Sequence, residues 1–132
     1  MQFTQVKETC LYVQDLEKTK DFYHGKLGLP VISLIEGRHV FFRAGSSVLL
    51  CFKPETTRQE TRLPPHFGQG QLHMAFEARE GEYEKWKAKL KAEGIAIEHE
   101  QDWGNGRFSC YFRDPDQHCI EIVEPCTWGN NN

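Results

Sequence analysis

Three side chains that bind divalent metals occur at matching points of three strand-like segments: Glu8, His73 and Glu121. In each segment one polar residue interrupts an apolar run. Because side chains alternate between the two faces of a strand, each of the three can face a cavity while its neighbours pack in the core. Two carboxylates and one imidazole form a set that Mn²⁺, Fe²⁺, Ni²⁺ or Zn²⁺ accepts with positions left open for a substrate. The residues alone therefore indicate a divalent metal site.

The elements that carry these side chains follow one order, strand, helix and three strands, which the periodicity predicts twice. In the first half the predicted elements lie at 4–13, 15–28, 31–36, 38–44 and 47–53. In the second half they lie at 71–78, 80–93, 95–99, 107–113 and 118–124. Asp15 is the predicted N-cap of the first helix, and Gly28 and Gly94 are the predicted helix ends.

The length of 132 residues predicts a single domain, 1–132, built from two modules at about 1–56 and 70–126. The loop 57–69 between them contains two prolines and one glycine and no apolar period. One helix in each module can cover only one face of its sheet. We therefore expect an α+β fold whose other sheet face curls into a cup, a natural place for a small molecule.

Composition and charge exclude several classes of function. The net charge is −3, with no long basic run, which argues against a nucleic-acid partner. No apolar stretch is long enough to span a membrane, and the N-terminus lacks the apolar core of a signal peptide. We expect a cytoplasmic protein without a membrane partner. The five cysteines are odd in number and lie in strand patterns, so no disulfide framework is expected.

Several motifs occur in order at the right separations: Leu11–Glu17 with Phe22-Tyr23 and Leu27-Gly28, His73–Phe76, and Tyr111–Asp116 with Glu121. In these the chain resembles the vicinal oxygen chelate superfamily, built from paired βαβββ modules. Its members include glyoxalase I, fosfomycin-resistance enzymes, methylmalonyl-CoA epimerase, extradiol dioxygenases and metal-free bleomycin-binding proteins. In short members two chains pair. The resemblance thus implies a homodimer in which Glu8 of one subunit faces His73 and Glu121 of the other.

The resemblance also assigns roles to single residues. The three metal ligands fall at Glu8, His73 and Glu121, whereas a further carboxylate of glyoxalase I would fall near Leu50, which cannot coordinate. That departure argues against orthodox glyoxalase I activity. Ser109 and Tyr111 match positions that face the cup or its loops in fosfomycin-resistance enzymes.

The remaining assignments come from residue type and place. Trp103, on a glycine-flanked loop, is a candidate to stack on a substrate, and Arg107 is a candidate to pair with an anionic one. The predicted substrate-binding set is therefore Trp103, Arg107, Ser109 and Tyr111. Glu8, if it leaves the metal, is a candidate base, and Tyr111 is the second candidate catalytic residue.

The function expected from the resemblance is a metal-dependent lyase, isomerase or transferase acting on a small oxygen-rich metabolite or xenobiotic. Two reaction types remain open: isomerisation through an enediolate, and opening of an epoxide by a thiol or water. One alternative is a metal-free drug-binding protein of the bleomycin-resistance type. An extradiol dioxygenase is a third reading, against which the shortage of suitably placed histidines counts. Substrate and metal identity stay open.

Overall fold

The computed structural model describes residues 1–129 and separates into two compact units, Met1–Gly70 and a second that begins at Gln71. Each unit has one open four-stranded mixed sheet and one main helix. The predicted α+β fold of paired βαβββ modules is thereby confirmed. The last part of the predicted domain, 130–132, lies outside the described residues, and the single domain stays a prediction.

The first unit has the predicted element order. Its elements are β1 (Glu8–Tyr12), α1 (Leu16–Lys20) continued by a π-helical segment (Asp21–Lys26), β2 (Val31–Ile35), β3 (His39–Ala44), β4 (Ser47–Phe52) and a short α2 (Pro54–Thr57). The sheet order is β1-β4-β3-β2, with β1 parallel to β4 and the other pairs antiparallel. A short helix thus leads into the predicted loop 57–69, and Pro54 stands in its first turn, where no backbone N–H is needed.

The first helix begins where the sequence predicts. The Asp15 carboxylate accepts a hydrogen bond of 3.0 Å from the backbone N–H of Lys18, as an N-cap does. Gly28, with φ of +79°, follows the end of the helical segment in a conformation that glycine adopts without strain. Buried side chains along the segment, such as Tyr23, face the buried Phe42 of β3, and this contact covers one face of the first sheet.

The second unit repeats the order. Its elements are β5 (His73–Glu77), α3 (Tyr83–Ala92), β6 (His99–Gly104), β7 (Arg107–Arg113) and β8 (Cys119–Val123). The sheet order is β5-β8-β7-β6, and β5 is parallel to β8. On α3, Leu90 is fully buried, and the Tyr83 hydroxyl donates a hydrogen bond of 3.0 Å to Glu100 of β6. Helix and sheet are therefore joined by both apolar and polar contacts.

One strand lies several residues from its predicted place. The sequence predicts a strand at 95–99 and a loop from Trp103 to Gly106, but β6 spans His99–Gly104. The reason is the turn: Asn105 and Gly106 both have positive φ, 53° and 73°, as the two central residues of a type I′ hairpin turn require. A two-residue turn leaves both flanking segments free to pair, so the strand includes Trp103.

All five cysteines are free thiols in the structure. Across the part of the chain that the structure describes, no helix combines the length and apolar character needed to cross a membrane.

Leu90→Ala should test the packing of α3 on its sheet. Because Leu90 is fully buried, its truncation leaves a cavity and should lower the free energy of unfolding by about 2–5 kcal/mol. Leu34→Ala is the matched control. Its truncation removes the same atoms, but Leu34 is 39% exposed to solvent, so the loss should be smaller. Urea denaturation measures both; equal losses in the two variants would contradict the assigned core.

Candidate functional site

The second sheet has an apolar face and a polar face. On β8 the buried Ile120 and Ile122 alternate with Glu121, so they point to opposite sides. The pairing register then extends the side of Glu121 across the neighbouring strands. We call this side the polar face, and its members are His73, Glu121, Tyr111, Ser109, His99 and Gln101.

His73 and Glu121 are two potential metal ligands that lie side by side on the polar face. The backbone carbonyl of Cys119 lies 2.9 Å from His73 Nδ1 and can only accept, so Nδ1 carries a proton. The other ring nitrogen, Nε2, lies 3.6 Å from a carboxylate oxygen of Glu121. Glu121 is buried, and a buried carboxylate requires a partner. Because Nδ1 is engaged by the carbonyl, Nε2 is the ring nitrogen that faces the buried carboxylate.

These two residues fit a metal ion as part of a ligand set. Bonds from Zn²⁺ to imidazole nitrogen or carboxylate oxygen are about 2.0–2.2 Å long, so donors 3.6 Å apart can reach one ion. A carbonyl that fixes the distal nitrogen is the usual support of a metal-bound histidine. Within residues 1–129, no group of three or more His, Cys, Asp or Glu side chains is placed to hold an ion. Within residues 1–129, His73 and Glu121 therefore provide two ligand atoms that can reach one ion.

Glu8, the third predicted ligand, belongs to the first unit. It is exposed on β1, where it pairs with Val48, while Cys10 pairs with Leu50. In the second unit the equivalent pairs are His73 with Cys119 and Ala75 with Glu121. Glu8 therefore has the register position of His73, and Leu50 has that of Glu121. The first unit carries no carboxylate where the second carries its buried one.

Tyr111 lies directly opposite Glu121 in the pairing of β7 with β8. Burial, and next the neighbouring Glu121 carboxylate, raise the pKa of Tyr111 to about 12. Its ring lies 6.3 Å from that of His73 and 5.8 Å from that of His99. At neutral pH the hydroxyl is protonated and can act as a hydrogen-bond donor beside the two potential ligands.

Trp103 and Ser109 are joined by a short hydrogen bond. The indole Nε1–H donates to Ser109 Oγ at 2.7 Å. Ser109 is fully buried, whereas Trp103 is 50% exposed. The indole is thus held by its nitrogen and leaves half of its surface open, which suits the predicted stacking role.

Arg107, the predicted partner of an anionic substrate, already has a carboxylate partner in the structure. Its guanidinium pairs with the Glu80 carboxylate at 3.1 and 3.2 Å. The other arginine of β7, Arg113, pairs with Glu98 at 3.0 Å. An anionic substrate would therefore have to compete with an existing carboxylate for either arginine, although exposed pairs of this kind are weak.

His99 and Gln101 were missed by the sequence predictions. They share the polar face with Tyr111 and Ser109, their respective pairing partners, and His99 Nε2 lies 3.0 Å from Gln101 Oε1. They were missed because the predicted strand ended at residue 99. The Asn105-Gly106 pair, a strong hairpin signal, would have placed both on the strand.

The raised pKa of Tyr111 should be visible in a spectroscopic pH titration. Tyrosine ionises near pH 10 in an unfolded chain and Tyr111 at about 12 here, so wild type and Tyr111→Phe should show equal phenolate absorbance at about pH 10.5. The sign for stability follows: the contribution of Tyr111 is complete below pH 10 and is lost as the pH rises towards 12. If Tyr111→Phe showed one phenolate fewer than the wild type at about pH 10.5, the burial of the Tyr111 hydroxyl would be contradicted.

Comparisons with known proteins agree with this architecture. Residues 5–122 match the model of the Glyoxalase/Bleomycin resistance protein/Dioxygenase superfamily. The chain is 30% identical over 117 residues to the glutathione transferase FosA of Serratia marcescens, covering 85% of this chain and 74% of that protein. It is 27% identical over 128 residues to the metallothiol transferase FosB of Staphylococcus epidermidis, covering 92% and 82%.

A solved structure extends the likeness to three dimensions. The crystal structure of lactoylglutathione lyase from Agrobacterium tumefaciens superposes with a TM-score of 0.90 at 34% identity, covering 96% of this chain and 98% of that one. The match therefore includes both units, each with its helix and four strands. On these grounds the chain belongs to the Glyoxalase/Bleomycin resistance protein/Dioxygenase superfamily.

Proposed function

We propose that this protein is a divalent-metal-dependent enzyme of the glyoxalase or fosfomycin-resistance type, acting on a small oxygen-rich metabolite or xenobiotic. The observation that carries the proposal is the His73–Glu121 pair, with Nδ1 fixed by a carbonyl and Nε2 3.6 Å from a buried carboxylate. The names of the relatives support it, since they describe a metallothiol transferase, a glutathione transferase and a lactoylglutathione lyase.

In this proposal His73 Nε2 and the Glu121 carboxylate hold the ion, and Glu8 is the third protein ligand. A bound ion of this kind polarises neighbouring substrate oxygens and stabilises the negative charge that develops on them. Two carboxylates and one neutral imidazole offset the charge of a divalent ion. Its identity stays open among zinc, nickel, manganese and iron.

Other residues of the chain contribute binding and proton positioning. Tyr111 keeps its proton at neutral pH, so its hydroxyl can donate a hydrogen bond to a substrate oxygen that becomes negative. The open surface of Trp103 can stack on a flat part of the substrate, and Ser109 anchors the indole. Glu8, if it leaves the ion, is the proposed base for a substrate proton. Arg107 is a weaker candidate for substrate binding because Glu80 already neutralises it.

The proposal includes a homodimer with two shared sites. The potential ligands divide into Glu8 on β1 of the first unit and His73 with Glu121 on the second. In a symmetric dimer each site can combine Glu8 of one subunit with His73 and Glu121 of the other. This arrangement provides three ligands at each site from identical chains.

Elemental analysis of the purified protein should find about one transition-metal ion per chain. His73→Ala and Glu121→Ala should each lose it, because each removes a donor from a small set. His99→Ala is the matched control, since it removes an imidazole from the same polar face that the proposal does not place at the ion. The control should keep its metal.

The opposite result has a clear meaning. If the wild type contains no metal and takes up none after reconstitution, the enzyme proposal is wrong, and the polar face is better tested as a binding site by ligand-induced shifts in melting temperature. If metal is present, activity should be sought with epoxides plus a thiol and with adducts of dicarbonyls and thiols.

Mixing two inactive variants should test whether sites are shared. Glu8→Ala and His73→Ala homodimers each lack one ligand in both sites, but a mixed dimer contains one intact and one doubly defective site. Random exchange of subunits should therefore restore about one quarter of the metal-binding sites. Isothermal titration with Zn²⁺ before and after exchange measures this. No recovery, with exchange verified by native mass spectrometry, would show that each site belongs to one chain.

A further inference from the structure

The first sheet also has two faces, and the side chain of Glu8 lies on the face that points away from the helix. Phe42 of β3 contacts Tyr23 of the helical segment, so its neighbours on the strand, Phe41 and Arg43, point to the opposite side. The pairing register places Glu8 on that same side. We call this side the Glu8 face. Its side chains form three rows across β1, β4 and β3.

The third row of the Glu8 face is closed by its own contacts. It consists of Tyr12, Phe52 and His39, of which the last two are buried. His39 Nε2 lies 2.9 Å from Ser33 Oγ, and its Nδ1 contacts the guanidinium of the preceding residue. The Tyr12 hydroxyl lies 2.7 Å from His66 Nδ1. Each polar side-chain atom of this row thus already has a partner within the protein.

The second row is partly exposed and almost entirely apolar. It consists of Cys10, Leu50 and Phe41. The Phe41 ring stacks on the His39 ring, with 3.8 Å between the centroids and an angle of 9°. The row offers one thiol and no carboxylate, amide or hydroxyl group. A polar group of a ligand would lose its water here without gaining a good partner, whereas a flat apolar group would gain contact with Phe41 and Leu50.

The first row ends in a cation, Arg43, next to Val48 and Glu8. The two other arginines that lie on strands, Arg107 and Arg113, are paired with carboxylates. Arg43 is exposed and has no ion pair with any residue in 1–129. A guanidinium binds a carboxylate through two parallel hydrogen bonds. The first row therefore offers an available site for an acid group.

We propose that the Glu8 face binds a small carboxylic acid that carries one flat apolar group, with the carboxylate on Arg43 and the flat group on Phe41 and Leu50. Arg43 and Phe41 are two residues apart on one strand, about 7 Å, so both can contact one small molecule. The substrate class is thus an aryl-substituted acid.

This inference deepens the proposed function and rests on it for the reaction alone, not for the binding. The acid group lies in the row of Glu8, whose backbone is two strands, about 10 Å, from that of Arg43. The oxygen-rich end of the ligand is therefore on the side of the proposed metal ligand. The apolar end lies one row further along the sheet.

Ligand-observed ¹⁹F NMR tests the proposal, with para-fluorophenylacetate as the probe and the whole chain after EDTA treatment. The wild type should bind the probe saturably. Arg43→Gln should weaken binding about tenfold, the factor for loss of a charge-assisted hydrogen bond at an exposed site. Arg79→Gln is the matched control, because Arg79 is also an exposed arginine but lies outside the strands, in the second unit. The control should bind as the wild type does.

The uncharged para-fluorophenylacetamide separates the two contacts. Arg43→Gln should weaken binding of the amide much less than binding of the acid, because the amide carries no charge. Phe41→Leu keeps an apolar side chain and removes the flat ring. It should weaken binding of both probes about three- to tenfold.

Three results would overturn the proposal: no saturable binding of the acid by the wild type, equal losses in Arg43→Gln and Arg79→Gln, or equal losses of acid and amide in Arg43→Gln. The last would show that the substitution acts through the fold and not through the charge. Because EDTA removes divalent ions, these outcomes are separate from failure of the metal proposal, which elemental analysis decides.

Discussion

The pairing of β8 between β5 and β7 is the constraint on which the candidate site depends. It places Glu121 level with Ala75 on one side and Tyr111 on the other. A shift of one residue would turn Glu121 towards the helix and bring Ile120 or Ile122 to the polar face. The register is protected by the same alternation, because such a shift would also expose two buried isoleucines to water. Core packing and ligand placement are therefore specified together.

The two units share an architecture and differ in chemistry. Leu50 and Glu121 have equivalent register positions, and so do Glu8 and His73. Each unit presents one potential ligand on its first strand, but only the second adds a buried carboxylate. A leucine costs nothing to bury, whereas a carboxylate needs polar surroundings, and in the second unit Glu121 has Tyr111 directly opposite it on β7. The repeated fold thus tolerates a change from a polar to an apolar side chain at one central position.

Periodicity predicted the element order, because the order depends on local alternation and on one repeated pattern, and residue type predicted the N-cap at Asp15. The grouping of His73 with Glu121 was implied by the family resemblance. Periodicity failed at β6, where polar residues and glycine conceal a strand whose limits are set by the turn at Asn105. The ion pair of Arg107 with Glu80 joins residues 27 positions apart, and the direction of the Trp103 hydrogen bond depends on tertiary contact. Neither leaves a local signal in the sequence.

The group that fixes the His73 ring is the backbone carbonyl of residue 119, not its side chain. Every amino acid supplies that carbonyl, so the tautomer that presents Nε2 is insensitive to most substitutions at this position. Proline is the exception, because the backbone N–H of Cys119 donates to Leu72 and would be lost. The orientation of the His73 imidazole therefore does not depend on which side chain residue 119 carries. The side chain at 119 is left free to vary, so sequence drift there can alter the surroundings of the site without dismantling it.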